Sequence, residues 1–182
     1  MNYLTLPIGT GAPDTVNAVV EIPRGGSNKY EYDRQLHVFR LDRPLYSSVY
    51  YPCEYGFIPS TLASDGDALD ILILAGRPSF TGCVMEARPV GLLDMLDRGV
   101  SDSKILAVAE KDPQHSQIRN FRDVYPHVLR EMEYFFSVYK ELEGKQTKVA
   151  GWRGAQEAKK VICECRERFL KQKNSGTGPG AD

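Results

Sequence analysis

The chain has 182 residues, a formal net charge of −1, 42% hydrophobic and 26% charged residues. That is enough chain to bury a core without disulfides or a structural metal. The near-neutral balance excludes an overall basic field that would gather nucleic acid or an anionic membrane, so attraction for an anion must be local.

Residues 1–11 lack the basic start and apolar run of a signal peptide. No stretch approaches the roughly 20 apolar residues of a membrane span. Cys53, Cys83, Cys163 and Cys165 show no paired CxxC spacing. Cys163 and Cys165, two apart on an expected helix, point to different sides and do not grip one metal. The expectation is a cytoplasmic protein with reduced thiols.

From Val16 to about Val108 the chain is rich in β-branched and aromatic residues, broken by Gly, Pro and Asp. Val16–Ile22, Lys29–Asp33, His37–Leu41, Ile71–Leu74, Gly82–Leu93 and Lys104–Val108 read as strands. Short strands with close turns predict a small barrel or a strongly curved sheet. From Asp123 the period changes. Val124, Val128, Leu129, Met132, Phe135, Phe136, Tyr139 and Leu142 follow helical spacing. Asp123 is read as the N-cap, Pro126 as part of the first turn and Gly144 as the stop. A second helix is expected from about Ala155 to Lys171, with Ala158, Val161, Ile162, Cys165 and Phe169 inward. Residues 1–173 are read as one domain, and 174–182 as a disordered glycine-rich tail.

The densest chemical signal is Asp65-Gly66-Asp67-Ala68-Leu69-Asp70, with three aspartates in six residues. Taken alone, it reads better as a solvated turn. An EF-hand loop does not fit, because Gly76 stands where a bidentate glutamate is required. A second set is Asp97 to Lys104, in which Asp102 and Lys104 share a strand face. In Lys29-Tyr30-Glu31 the two charged residues share a face as well, and Glu21 ends the preceding strand. An ordinary alternating strand accounts for any one such pair. Their accumulation at strand ends and turns is what points to a site. Carboxylates from separate loops suit magnesium, which takes oxygen ligands and keeps several waters. Arg43, at the end of an apolar strand, offers a fork matched to phosphate. Tyr55, in an aromatic run, and Tyr139-Lys140 offer phenols and an ammonium.

These residues, in this order, resemble the soluble family I inorganic pyrophosphatases of the short bacterial type. The carrying motifs are Glu21-Ile-Pro, Lys29-Tyr-Glu31, Asp42-Arg43, Tyr51-Pro-Cys-Glu-Tyr55-Gly, Asp65-Gly-Asp67-Ala-Leu-Asp70, Asp97 through Asp102 to Lys104, Tyr139-Lys140, and Lys148 before Gly151-Trp152. The resemblance implies an α+β fold, mainly β, with an OB-type five-stranded β-barrel flanked by two C-terminal helices. It implies magnesium-dependent hydrolysis of pyrophosphate, with manganese as the alternative ion. By matching position, Asp65, Asp70, Asp97, Asp102, Glu31 and Glu21 would serve metals. Lys29, Arg43, Tyr55, Lys104, Tyr139 and Lys140 would bind the phosphates, and Asp67 would accept the proton from the attacking water. It further implies a homohexamer. Three departures stand out: Ala68 replaces the family's proline, the loop near Arg34–His37 lacks a glycine, and Tyr134 and Val138 replace interface histidines.

Three rival readings are an OB-type nucleic-acid module, a catalytically silent relative, and a phosphatase for a larger substrate such as a nucleotide. The aromatic run supports the first. The carboxylates and the charge of −1 argue against it.

Overall fold

The computed structural model describes residues 1–175. Its strands are β1 (Val16–Ile22), β2 (Asn28–Asp33), β3 (Val38–Pro44), β4 (Glu54–Ile58), β5 (Leu69–Leu74), β6 (Val84–Asp97), β7 (Val100–Ser101), β8 (Lys104–Ala109) and β9 (Thr147–Gly154). The two α-helices are α1 (Pro126–Val138) and α2 (Ala155–Asn174).

Five strands close on themselves in the order β1-β4-β5-β8-β6, and β6 returns to β1. That ring is the expected five-stranded barrel, and two C-terminal helices flank it. All neighbours in the ring are antiparallel except β5 and β8, which run parallel with Ile71 opposite Ile105. β6 is the longest strand and also carries β7 and β9 on its far end. The β2–β3 hairpin forms a separate two-stranded sheet.

The central strands read as unbroken apolar runs because both of their faces are buried. On β5 and β8, Leu72, Leu74, Leu106 and Val108 join one core cluster with Met132, Phe135 and Phe136 of α1. The alternate residues Ile71, Ile73, Ile105 and Ala107 join a second cluster with Ala158, Ile162 and Cys165 of α2. The period of two in the strands thus divides the core into an α1 side and an α2 side.

Barrel closure depends on one glycine. Gly56 lies opposite Val20 across β1 and β4, and a Cβ there would stand 1.9 Å from the Val19 carbonyl oxygen. Two other special backbone positions share one turn. Arg98 and Gly99 both have positive φ, 51° and 83°, and make the tight turn from β6 to β7. In the hairpin turn that lacks the family's glycine, His37 takes φ 56°, and its Nδ1 lies 3.1 Å from the Tyr32 hydroxyl. Histidine tolerates this region better than most residues with a side chain.

Several expectations about elements need correction. Asp123 does not cap α1. It closes a capping box in the 3₁₀ turn Phe121–Asp123, and α1 begins after Tyr125 with no side-chain cap. The helix also ends at Val138. Gly144, at φ 70°, terminates a separate 3₁₀ turn, Glu141–Glu143, so Leu142 falls off the helical stripe and is exposed. Strands β4, β7 and β9 were not read from the sequence. The aromatic run hid β4. The glycines at 151 and 154 and the polar residues around them masked β9. Helix α2 takes in Asn174, the first residue of the expected tail. Residues 176–182 lie outside the described residues.

Candidate active site

β5 and β8 are parallel, so residues near their starts enter the barrel side by side. Asp70 precedes Ile71 and Lys104 precedes Ile105, and these two are register partners. The Lys104 Nζ donates to Asp70 Oδ2 at 2.5 Å and to Asp102 Oδ1 at 2.8 Å. The Tyr55 hydroxyl, from β4, donates to the same Asp70 oxygen at 2.6 Å. Lys104 is only 1% exposed, and the rings of Tyr55 and Phe136 lie within 5.7 Å of its ammonium. Burial alone would lower its pKa, yet Asp70 and Asp102 outweigh that and hold it protonated well above the usual lysine range.

Around this centre lies a cavity of about 660 Å³. Seven carboxylates line it (Glu21, Glu31, Asp65, Asp67, Asp70, Asp97, Asp102), with five cations (Lys29, Arg34, Arg98, Lys104, Lys140). Tyr32, Tyr51, Tyr55 and Tyr139 add phenols. Every residue expected at the site lines this cavity except Arg43. The Arg43 guanidinium pairs instead with Asp42 and with Glu143. Lys148 is exposed on β9 and is not part of the lining. Arg34 and Arg98 were not singled out in the sequence. Both sit in turns next to expected site residues, and that adjacency was the only available signal.

The carboxylates are paired unevenly. The Lys140 Nζ donates to Asp97 Oδ2 at 2.8 Å, whereas Asp97 Oδ1 is buried without a hydrogen-bond partner. Burial pushes the Asp97 carboxyl up, but Lys140, with Arg98 and Lys104, outweighs it and the net shift is downward. Lys29 pairs with Glu31, and Arg34 with Asp67. Asp67 is shifted upward, by desolvation first, with Arg34 opposing and Asp65 and Asp70 adding. Asp102 is also raised, chiefly by desolvation, against the pull of Lys104. Glu21 accepts the Tyr32 N–H at 2.9 Å, and burial still pushes its carboxyl up to about 8, with the Asp70 charge contributing. Asp65 Oδ1 accepts the Asp67 N–H at 3.0 Å and shapes the turn between them. Ala68 packs against the small cluster of Val19, Tyr32 and Phe57.

Among the described residues, no group of three or more His, Cys, Asp or Glu side chains stands close enough together to hold a metal ion. The donor chemistry nonetheless fits a hard divalent cation. All the candidate donors are carboxylate oxygens, two of them, on Glu21 and Asp102, are raised chiefly by burial, and Asp97 Oδ1 is buried with no hydrogen-bond partner, with the Arg98 Nε 3.7 Å away. Ammonium groups now neutralise the charge that a cation would share.

The model of the inorganic pyrophosphatase family matches residues 18–170. An inorganic pyrophosphatase of Geobacillus stearothermophilus is 46% identical over 158 residues, covering 87% of this chain and 96% of the relative. One from Methanosarcina mazei is 49% identical, covering 85% and 92%. The crystal structure of inorganic pyrophosphatase from Thermus thermophilus superposes with a TM-score of 0.91 at 44% identity, covering 93% of this chain and 99% of that one. With the matched region running from within β1 to within α2 and holding every residue of the cavity discussed above, the chain belongs to the inorganic pyrophosphatase family.

Proposed function

We propose that this chain hydrolyses inorganic pyrophosphate to two orthophosphates with magnesium, and that residues 1–173 act as one domain. The carrying observation is the single cavity in which seven carboxylates face five cations and four phenols. Pyrophosphate repels a nucleophile through its own charge, so a site for it needs both cations and a way to generate hydroxide. Water adds to one phosphorus, the bridging P–O bond breaks, and the bridging oxygen leaves with the second phosphate.

Asp65, Asp70, Asp97, Asp102, Glu31 and Glu21 would hold magnesium, or manganese in its place. Such ions, when bound, lower the pKa of a water from about 15.7 toward neutrality and offset substrate charge. Asp67 accepts the proton of the attacking water. Its place in the cavity lining and its exposed side chain leave it open to a water there, as a base must be. Lys29, Lys104, Lys140, Tyr55 and Tyr139 face phosphate oxygens, and Arg43 acts from the border of the cavity. Charge stabilisation and positioning supply most of the rate in phosphoryl transfer, so no covalent nucleophile is needed.

We also read the protein as cytoplasmic and self-associating, as a homohexamer, with no nucleic-acid or membrane partner. The four cysteines are unpaired. No helix among the described residues is long and apolar enough to cross a membrane. Tyr134 is 65% exposed on the outer face of α1, as a contact surface would be.

The test is phosphate release from pyrophosphate and from ATP, each with magnesium, with manganese and with a chelator. Release from pyrophosphate alone that needs the metal supports the reading. Equal or faster release from ATP moves the substrate to a nucleotide. No release from either by folded protein overturns it.

A further inference from the structure

Arg43, beside the cavity but not in its lining, pairs with the chain that follows α1. Its Nε and Nη2 both reach Glu143 Oε1 at 2.7 Å, while Lys145 donates to Glu143 Oε2 at 2.8 Å. The Glu143 side chain is 5% exposed, so this is a largely buried pair between residues 100 apart in sequence. At one end, Arg43 is the cross-strand partner of Lys29, and the Asp42 carboxylate accepts from both. At the other end, the Glu143 N–H donates to the Lys140 carbonyl at 3.0 Å. The pair therefore ties the hairpin that carries Lys29 to the turn that carries Tyr139 and Lys140.

A buried ion pair is a poor device for stability, because desolvation offsets most of its attraction. A one-turn 3₁₀ segment ending in a glycine needs no glutamate to form. What Glu143 supplies is geometric, a fixed distance between two arms that approach the cavity from different elements.

We infer that Glu143 is a positioning residue which, through Arg43, sets the spacing between the Lys29 and Lys140 arms of the phosphate cradle. This rests on the pyrophosphate reading above. Without Glu143 the guanidinium loses its bidentate anchor and the hairpin is free to shift against the turn. Small misplacements of binding groups carry large kinetic penalties.

The test is steady-state hydrolysis of pyrophosphate by wild type, Glu143→Gln, Arg43→Lys and the double variant, with chemical denaturation of each. Glu143→Gln is expected to lower kcat/KM about tenfold, chiefly through KM, with a denaturation midpoint close to wild type. The double variant is expected to lose no more than Arg43→Lys alone, because both changes break one link. Wild-type kinetics in Glu143→Gln, or losses that multiply in the double variant, would overturn the role. If Glu143→Gln does not fold, Glu143→Asp, which keeps the charge and shortens the reach, takes its place with the same expected loss. An inactive wild type overturns the pyrophosphate reading itself, whereas an active wild type beside an unchanged Glu143 variant overturns only the positioning role.

Discussion

The ammonium of Lys104 sits 2.5 Å from Asp70 Oδ2, inside the barrel wall and almost wholly out of water. This one contact joins the two sequence-distant halves of the site. It also neutralises part of the most crowded group of carboxylates in the cavity. Replacing Lys104 by Met would leave Asp70 and Asp102 facing each other without a cation. We expect a loss of about 3 kcal/mol in chemical denaturation at neutral pH, the scale for removing one partner of a buried pair. Added magnesium should recover part of that loss. Denaturation curves equal to wild type would show that the lysine does not offset the carboxylates.

Gly56 gives a prediction about the fold alone. Any side chain there meets the Val19 carbonyl oxygen at 1.9 Å, where β1 and β4 close the ring. Gly56→Ala is expected to cost about 3 kcal/mol, the upper range for overpacking against backbone. Urea unfolding followed by circular dichroism measures it. A change below about 0.5 kcal/mol, typical of harmless surface substitutions, would mean that the strands can part without penalty.

How much of this was legible in the sequence depends on how local each feature is. Asp65, Asp67 and Asp70 could be read together because one turn and one strand start hold them. Asp70 beside Lys104 could not, because it follows from the parallel β5–β8 pairing, and periodicity does not say which strands pair. The boundaries of β1 match the expectation, and its strand was marked by five buried apolar residues in seven. β4 was missed because Tyr55-Gly56-Phe57 reads as an aromatic loop until Gly56 is seen against Val19. Arg43 was correctly placed at the end of a strand, but nothing local revealed Glu143, which comes from a turn on the other side of the chain. Arg34 was passed over for the same reason: its partner Asp67 lies in another loop.

Asp112 supplies a pH dependence away from the cavity. Its carboxylate accepts from the Gly76 N–H at 2.7 Å and the Gln114 N–H at 3.0 Å, and lies 2.6 Å from His115 Nδ1. The His115 contact first, and the backbone donors with it, hold the Asp112 carboxyl below the usual range. The folded state therefore favours the ionised form, and the stabilisation is present above the unfolded value of 3.8 and lost as pH falls through the lower folded value. Asp112→Asn should be less stable than wild type at neutral pH, with the difference shrinking below about pH 4. A difference that is constant with pH would exclude this linkage.

Asp70 receives both Tyr55 and Lys104 and stands at the centre of the proposed metal donors. Asp70→Ala should weaken magnesium binding by at least tenfold in titration calorimetry, because carboxylates dominate binding of this ion. Asp14→Ala is a suitable comparison, since Asp14 pairs with Lys159 of α2 and lines no part of the cavity. Equal magnesium affinity in Asp70→Ala and wild type would remove Asp70 from the donor set.

Asp67 carries the central claim, that this cavity activates water for attack on pyrophosphate. The decisive measurement is phosphate release from pyrophosphate by wild type and Asp67→Asn across a magnesium titration. The substitution is nearly isosteric, and the Asp67 side chain is 73% exposed, so the fold should be untouched. The account predicts magnesium-dependent release by wild type and a fall of about 100-fold or more in kcat for the variant, the scale for loss of a general base. Near-normal turnover by folded Asp67→Asn at saturating magnesium would contradict it.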